Sequence, residues 1–221
     1  MINQDWGNQE MTARYTLHGI WLSGPAYKVG LMLTLAGQKF DYVHTGPRDD
    51  AKKPDYLAKN RFGQVPLLTD GENGRHFCQS ASILEYLADT TKAFRAPNPL
   101  NRQLVREWLF WEFDRLAAPI YRLRGQRMGF RSMSQATAEM YFTEGNAALK
   151  VLDDHLAGKS WLVGRKATIA DIDIYGVVAY APAGGYNLKQ YKNLSKWMKR
   201  MEALPGFASP DTLLPKASKK A

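Results

Sequence analysis

Three short motifs hold the side chains best placed to do chemistry: Ser23 followed by Gly24-Pro25, the step Gln64-Val65-Pro66, and the polar pair Gln79-Ser80. Ser23 precedes a helical apolar run with a proline in its first turn, so it stands at a helix mouth. Unpaired N–H groups and the helix dipole favour an anion there. A hydroxyl at that point can donate a charge-assisted hydrogen bond to a thiolate. A free thiol with a pKa near ~8.5 is only slightly ionised at neutral pH. Lowering that pKa by two units takes ~2.7 kcal/mol of preference for the anion, about one charged hydrogen bond plus a dipole. The same serine equally reads as a plain helix cap. Alone, the motif does not separate the two.

Pro66 cannot donate to a β-ladder, so it belongs at a strand start or an edge. A cis peptide there would turn the chain and leave the Val65 main chain open to an extended peptide ligand. A trans bond in an ordinary loop is the plainer alternative. Gln64 adds an amide for a terminal carboxylate. Gln79-Ser80 opens another helix, where hydroxyl, amide and N–H groups make a second carboxylate site, or simply a cap. Taken together, the three motifs describe a cradle for a small anionic peptide with one hydroxyl near a reactive group.

The elements that would position them follow from periodicity. Residues 14–19 predict a strand, 24–36 a helix closed by Gly37, and 40–44 a second strand, an opening βαβ unit. A short helix is expected over 54–59. Residues 65–69 and 75–78 flank the turn signal Asp70-Gly71-Glu72-Asn73-Gly74 and predict a hairpin, with a helix over 80–90 beyond it. The order βαβ then ββα gives a mixed four-stranded, thioredoxin-like sheet domain. After residue 91 the pattern becomes helical: 100–124, 134–156, 169–181 and 193–204. The fold class is therefore α+β/α, a sheet domain over 13–91, a linker over 92–99 and an all-helical domain over 100–212. Residues 1–12 read as a flexible extension and 213–221 as a frayed basic tail.

Composition narrows the class. At 221 residues with 45% hydrophobic and 23% charged side chains, the chain should bury a core rather than stay disordered. The single cysteine, Cys78, rules out an internal disulfide and suits a reducing compartment. It is expected as a small core residue on the last strand. No signal-peptide pattern or membrane-length apolar run is apparent, so the cytoplasm is expected. The net charge of +9 is spread over the chain, with small clusters at Arg122, Arg124, Arg127 and Arg131 and in the tail at Lys216, Lys219 and Lys220. No recognition motif accompanies it, so a nucleic-acid partner is not expected.

In this order the motifs resemble the glutathione transferase superfamily over residues 14–210. Ser23-x-Pro25 is similar to the serine-type signature of theta/delta-like, bacterial-style members. Gln64-Val65-Pro66 resembles the family's cis-proline turn, and Gln79-Ser80 its γ-glutamyl-binding pair. Thr168-Ile-Ala-Asp171 resembles the capping box of its helical domain, a structural device, so Asp171 and Asp173 are not expected as metal ligands. The resemblance implies that Ser23 holds the glutathione sulfur as thiolate. It also implies that Val65 pairs with the cysteinyl backbone, Gln64 approaches the glycine carboxylate, and Gln79 with Ser80 takes the γ-glutamyl end. The place of the family's tyrosine-type residue holds His18-Gly19. The cysteine-type members carry Cys where Ser23 stands.

A cytosolic detoxification enzyme is implied, acting on a small electrophile or a hydroperoxide, with glutathione as co-substrate and no other cofactor or metal. Its partners would be those two small molecules and a second copy in a homodimer. Trp108, Trp111 and Arg115, with Phe110 and Tyr121 nearby, are the expected lining of the electrophile pocket. Two rivals stay open: a non-catalytic ligand- or protein-binding module of the same shape, and a specialised glutathione-dependent dehalogenase or isomerase.

Overall fold

The computed structural model describes residues 13–220; the extension expected over 1–12, like residue 221, lies outside the described residues. Strand β1 (Tyr15–Gly19) buries Tyr15, Leu17 and Gly19 and leaves Thr16 and His18 half-covered, the period-two pattern of a sheet packed on one side. Ser23 caps α1 (Gly24–Leu35), and the chain leaves it through Gly37 at φ 67°. β2 (Phe40–His44) then pairs parallel to β1, completing the βαβ unit.

A 3₁₀ turn and α2 (Pro54–Leu57) lead to β3 (Leu67–Asp70), which starts two residues later than the sequence pattern, after Pro66. β3 runs antiparallel to β1, and β4 (Arg75–Cys78) returns antiparallel to β3, giving the order β2-β1-β3-β4. α3 (Ser80–Thr91) closes this thioredoxin-like half.

The rest is helical. α4 (Pro99–Trp111) is capped by Asn98, whose side chain accepts the Asn101 N–H. It runs through a π-helical turn, Glu112–Ala117, into α5 (Ala118–Arg127). α6 (Gln135–His155) starts at the Ser134 cap, α7 (Ile169–Val178) at Thr168, and α8 (Lys192–Glu202) and α9 (Pro210–Leu213) follow. The capping box is complete: the Asp171 carboxylate accepts the Thr168 N–H at 2.8 Å while the Thr168 side chain takes the Asp171 amide. α7 ends three residues short of the predicted 181, where the chain tightens into a 3₁₀ turn at Pro182–Gly184.

α1 and α7 are buried along nearly their whole length and pack on each other, so the main apolar core runs from Tyr15 in the sheet to Leu214, with a small separate cluster of Ala51, Tyr56 and Leu67. Their contact needs a glycine: a Cβ at Gly176 would sit 2.3 Å from Cγ of Lys28, whose stem crosses α7 at that point.

The tail corrects an expectation. Rather than fraying, it docks on β2, the outer strand of the described sheet. Tyr42 and Lys219 exchange both main-chain hydrogen bonds, at 2.7 and 2.8 Å, and the His44 N–H donates to Ser218 Oγ at 2.9 Å. Among the described residues no helix is long and apolar enough to cross a membrane.

Candidate active site

A cleft of about 510 Å³ lies between the sheet and the helices, well inside the range of small-molecule sites. Its sheet-side wall contains Gln64, Val65, Pro66, Gln79 and Ser80, all five of the residues expected to form the peptide cradle. The loop bearing the first three is tied down from below. Tyr56 Oη and Asn60 Nδ2 both donate to the Gln64 carbonyl, at 2.7 and 2.6 Å, and Lys52 Nζ donates to the Gly63 carbonyl at 2.7 Å. The Val65–Pro66 peptide is cis. No hydrogen bond among the described residues uses the Val65 main chain.

Gln79 has φ 70°, a left-handed value that costs a non-glycine residue free energy and that clusters at binding sites. It stands at the cap position of α3 without a side-chain cap bond, so the first-turn N–H groups of α3 are left for another acceptor. Its Nε2 lies 3.5 Å from Gln64 Oε1, linking two motifs far apart in sequence.

Ser23 is half-buried, and its Oγ accepts the Ala26 N–H at 3.1 Å, which leaves the hydroxyl proton available for donation. The cleft wall at this end is bordered by Pro25, in the first turn of the helix that Ser23 caps, rather than by Ser23 itself. His18 lies on β1 with its ring edge-on to Tyr56, and burial lowers its pKa to about 4, so it is neutral at physiological pH. Cys78, expected as a core residue, is half-buried and borders the cleft.

The helical wall differs from expectation. Trp108, Trp111 and Arg115 turn toward α6, beside Val151, and stay off the cleft; Arg115 pairs with Asp114 at 2.7 Å in solvent. Glu112, Phe113, Ala117, Tyr121 and Arg131 face the cleft in their place. Trp108 packs edge-on against Trp111 and against His155 of α6, which holds that face away from the cleft. The extra residue of the π turn lets Glu112 and Ala117, five apart, share a face that a regular helix would not give them. Of the residues expected to line the electrophile pocket, Tyr121 alone borders the cleft.

Sequence reasoning also missed a charge cluster at the cleft floor. Lys28 Nζ on α1 lies 2.8 Å from Glu112 Oε1 and 2.9 Å from Asp173 Oδ1 on α7, with all three side chains almost wholly buried. Burial, reinforced by Asp173, holds the Glu112 carboxyl well above the usual carboxylate range, although Lys28 opposes the shift. The only hint in the sequence is a lysine inside an otherwise apolar helix.

Comparison with known proteins places this architecture. Residues 17–93 match the model of the glutathione S-transferase N-terminal domain, and residues 115–205 that of the C-terminal domain. Glutathione S-transferase GstA of Escherichia coli O157:H7 is 32% identical over 158 residues, covering 68% of this chain and 74% of that protein. This chain belongs to the glutathione S-transferase superfamily.

Maleylacetoacetate isomerase of Rhizobium meliloti is 28% identical over 220 residues, 93% of this chain and 100% of that protein. The crystal structure of a glutathione S-transferase from Xanthobacter autotrophicus Py2 superposes with a TM-score of 0.82 at 32% identity, covering 88% of this chain and 96% of that one.

Proposed function

We propose that the chain is a serine-type glutathione transferase. The observation that carries this reading is the convergence of Gln64, Val65, Pro66, Gln79 and Ser80 on one cleft, with the Val65 main chain in no hydrogen bond among the described residues. An extended tripeptide laid there pairs its cysteinyl backbone with Val65. Its glycine carboxylate approaches Gln64, and its γ-glutamyl carboxylate meets Ser80 and the uncapped start of α3. This orientation directs the sulfur toward the start of α1, where the Ser23 hydroxyl donates to it and favours the thiolate. The thiolate attacks an electrophilic carbon, forming a C–S bond as the leaving group departs with its electron pair. Alternatively, it attacks the outer oxygen of a hydroperoxide, releasing the alcohol and leaving a sulfenic acid that a second glutathione converts to the disulfide and water. Binding alone accelerates nothing; an ionised, oriented sulfur beside its acceptor does.

The experiment is the ultraviolet absorbance of bound glutathione thiolate. In the wild type it should be present at neutral pH. In Ser23→Ala it should fall at least tenfold while glutathione still binds. Tight binding without ionisation in the wild type would make the chain a binding module instead.

The full-length likeness to an isomerase favours one second reading, reversible addition of the same thiolate to a conjugated double bond with glutathione regenerated. Turnover of a cis-alkene without glutathione consumption would support it. A homodimer and a cytoplasmic location belong to the proposal as well; sedimentation equilibrium tests the former, fractionation the latter.

A further inference from the structure

The turn that carries Ser23 is held from the other half of the molecule. Within the turn, the Ser23 N–H donates to the Ile20 carbonyl at 2.8 Å and Ser23 Oγ caps Ala26, which leaves the Leu22 carbonyl for an outside donor. Arg124, on α5, supplies it: Nη1 donates to Leu22 O at 2.8 Å. The guanidinium lies 4.2 Å above the Tyr180 ring, a stack that fixes its plane, and its Nε is shut from solvent with no hydrogen-bond partner among the described residues. One turn earlier on the same helix, Tyr121 fills the space that Gly24 leaves, since a Cβ at Gly24 would lie 2.2 Å from the Tyr121 hydroxyl. That hydroxyl is anchored in turn, donating to the Gly176 carbonyl at 2.8 Å.

We propose that Arg124 is a positioning residue for the Ser23 site, fixing the turn and setting a permanent positive charge one residue from the hydroxyl that faces the sulfur. The inference rests on the serine-type reading above. A contact whose only role was to join two domains needs no cation at this carbonyl. A fixed guanidinium beside a helix N-terminus favours an anion forming there, because the charge of the helix end and that of the side chain add.

The test is the pH titration of glutathione thiol bound to wild type, Arg124→Met, Arg124→Lys and Ser23→Ala. In Arg124→Met the thiol pKa should rise by about one unit, a ~tenfold loss of thiolate at neutral pH, with glutathione affinity little changed. Arg124→Lys keeps the charge without the planar fork and should titrate between the two. It also serves as the readable variant if Arg124→Met fails to fold. Wild-type titration in either Arg124 variant, beside a lost thiolate in Ser23→Ala, overturns the proposal and leaves the serine reading standing. An unchanged Ser23→Ala titration overturns the serine reading. If Arg124→Met still shifts in that case, the ionising charge is Arg124's own; if it does not, both fail.

Discussion

Lys28, Glu112 and Asp173 put one cation and two carboxylates out of reach of water, where charges are stable only when paired and satisfied. Because burial raises the Glu112 pKa, the folded chain holds a proton that the unfolded chain releases. That contribution to stability is complete below the ordinary glutamate pKa and is lost as the pH climbs through the raised, folded-state value. Urea melts should therefore show the wild type losing stability from pH 5 toward alkaline pH, with Glu112→Gln losing distinctly less. Parallel profiles for the two proteins would reject the assignment. His18 works in the other direction: its depressed pKa gives stability that is present above ~6.5 and lost as the pH falls through about 4. The cradle residues were legible in sequence because each motif carries its own local geometry. The buried triad was not, since the partners of Lys28 come from two helices distant in the chain.

The π turn at Glu112–Ala117 shows where periodicity misleads at the level of elements. Trp108, Trp111 and Arg115 were expected at the cleft, but helical spacing tells only that they share a face, and which neighbour that face meets is decided by packing against α6. Caps were the opposite case: Ser23, Ser134 and the Thr168–Asp171 box all lie where their residue types place them. Asp171 does more than cap, for its carboxylate also accepts the Leu162 N–H at 3.0 Å and Trp197 Nε1 at 2.9 Å. Asp171→Ala strands these buried donors, each costing ~1–3 kcal/mol, so thermal denaturation should find it destabilised by several kcal/mol. Asp154→Ala, which removes only an exposed pair with Lys150, should leave stability nearly unchanged. Comparable losses in the two variants would contradict this account of α7.

Across the whole molecule, the two halves announced by composition turn out to share one core. α1 belongs to the sheet half by sequence but buries itself against α7 of the helical half. The sequence pattern could separate the halves because one alternates and the other repeats at helical spacing. It could not disclose how much apolar surface each lends the other, which is a property of their docking. The cleft is a product of that docking, since its walls come from both sides.

The docked tail carries one last consequence. Residues 218–220 act as a selvedge on β2: they occupy main-chain groups of Tyr42 and His44, and Lys220 lies 3.5 Å from Asp41. Ending the chain after Leu214 would unhem that strand, and open strands recruit one another. Such a shortened protein should keep its helical circular dichroism yet scatter more light with time and concentration than the intact one. Equal clarity of both solutions would mean that the hem is decorative.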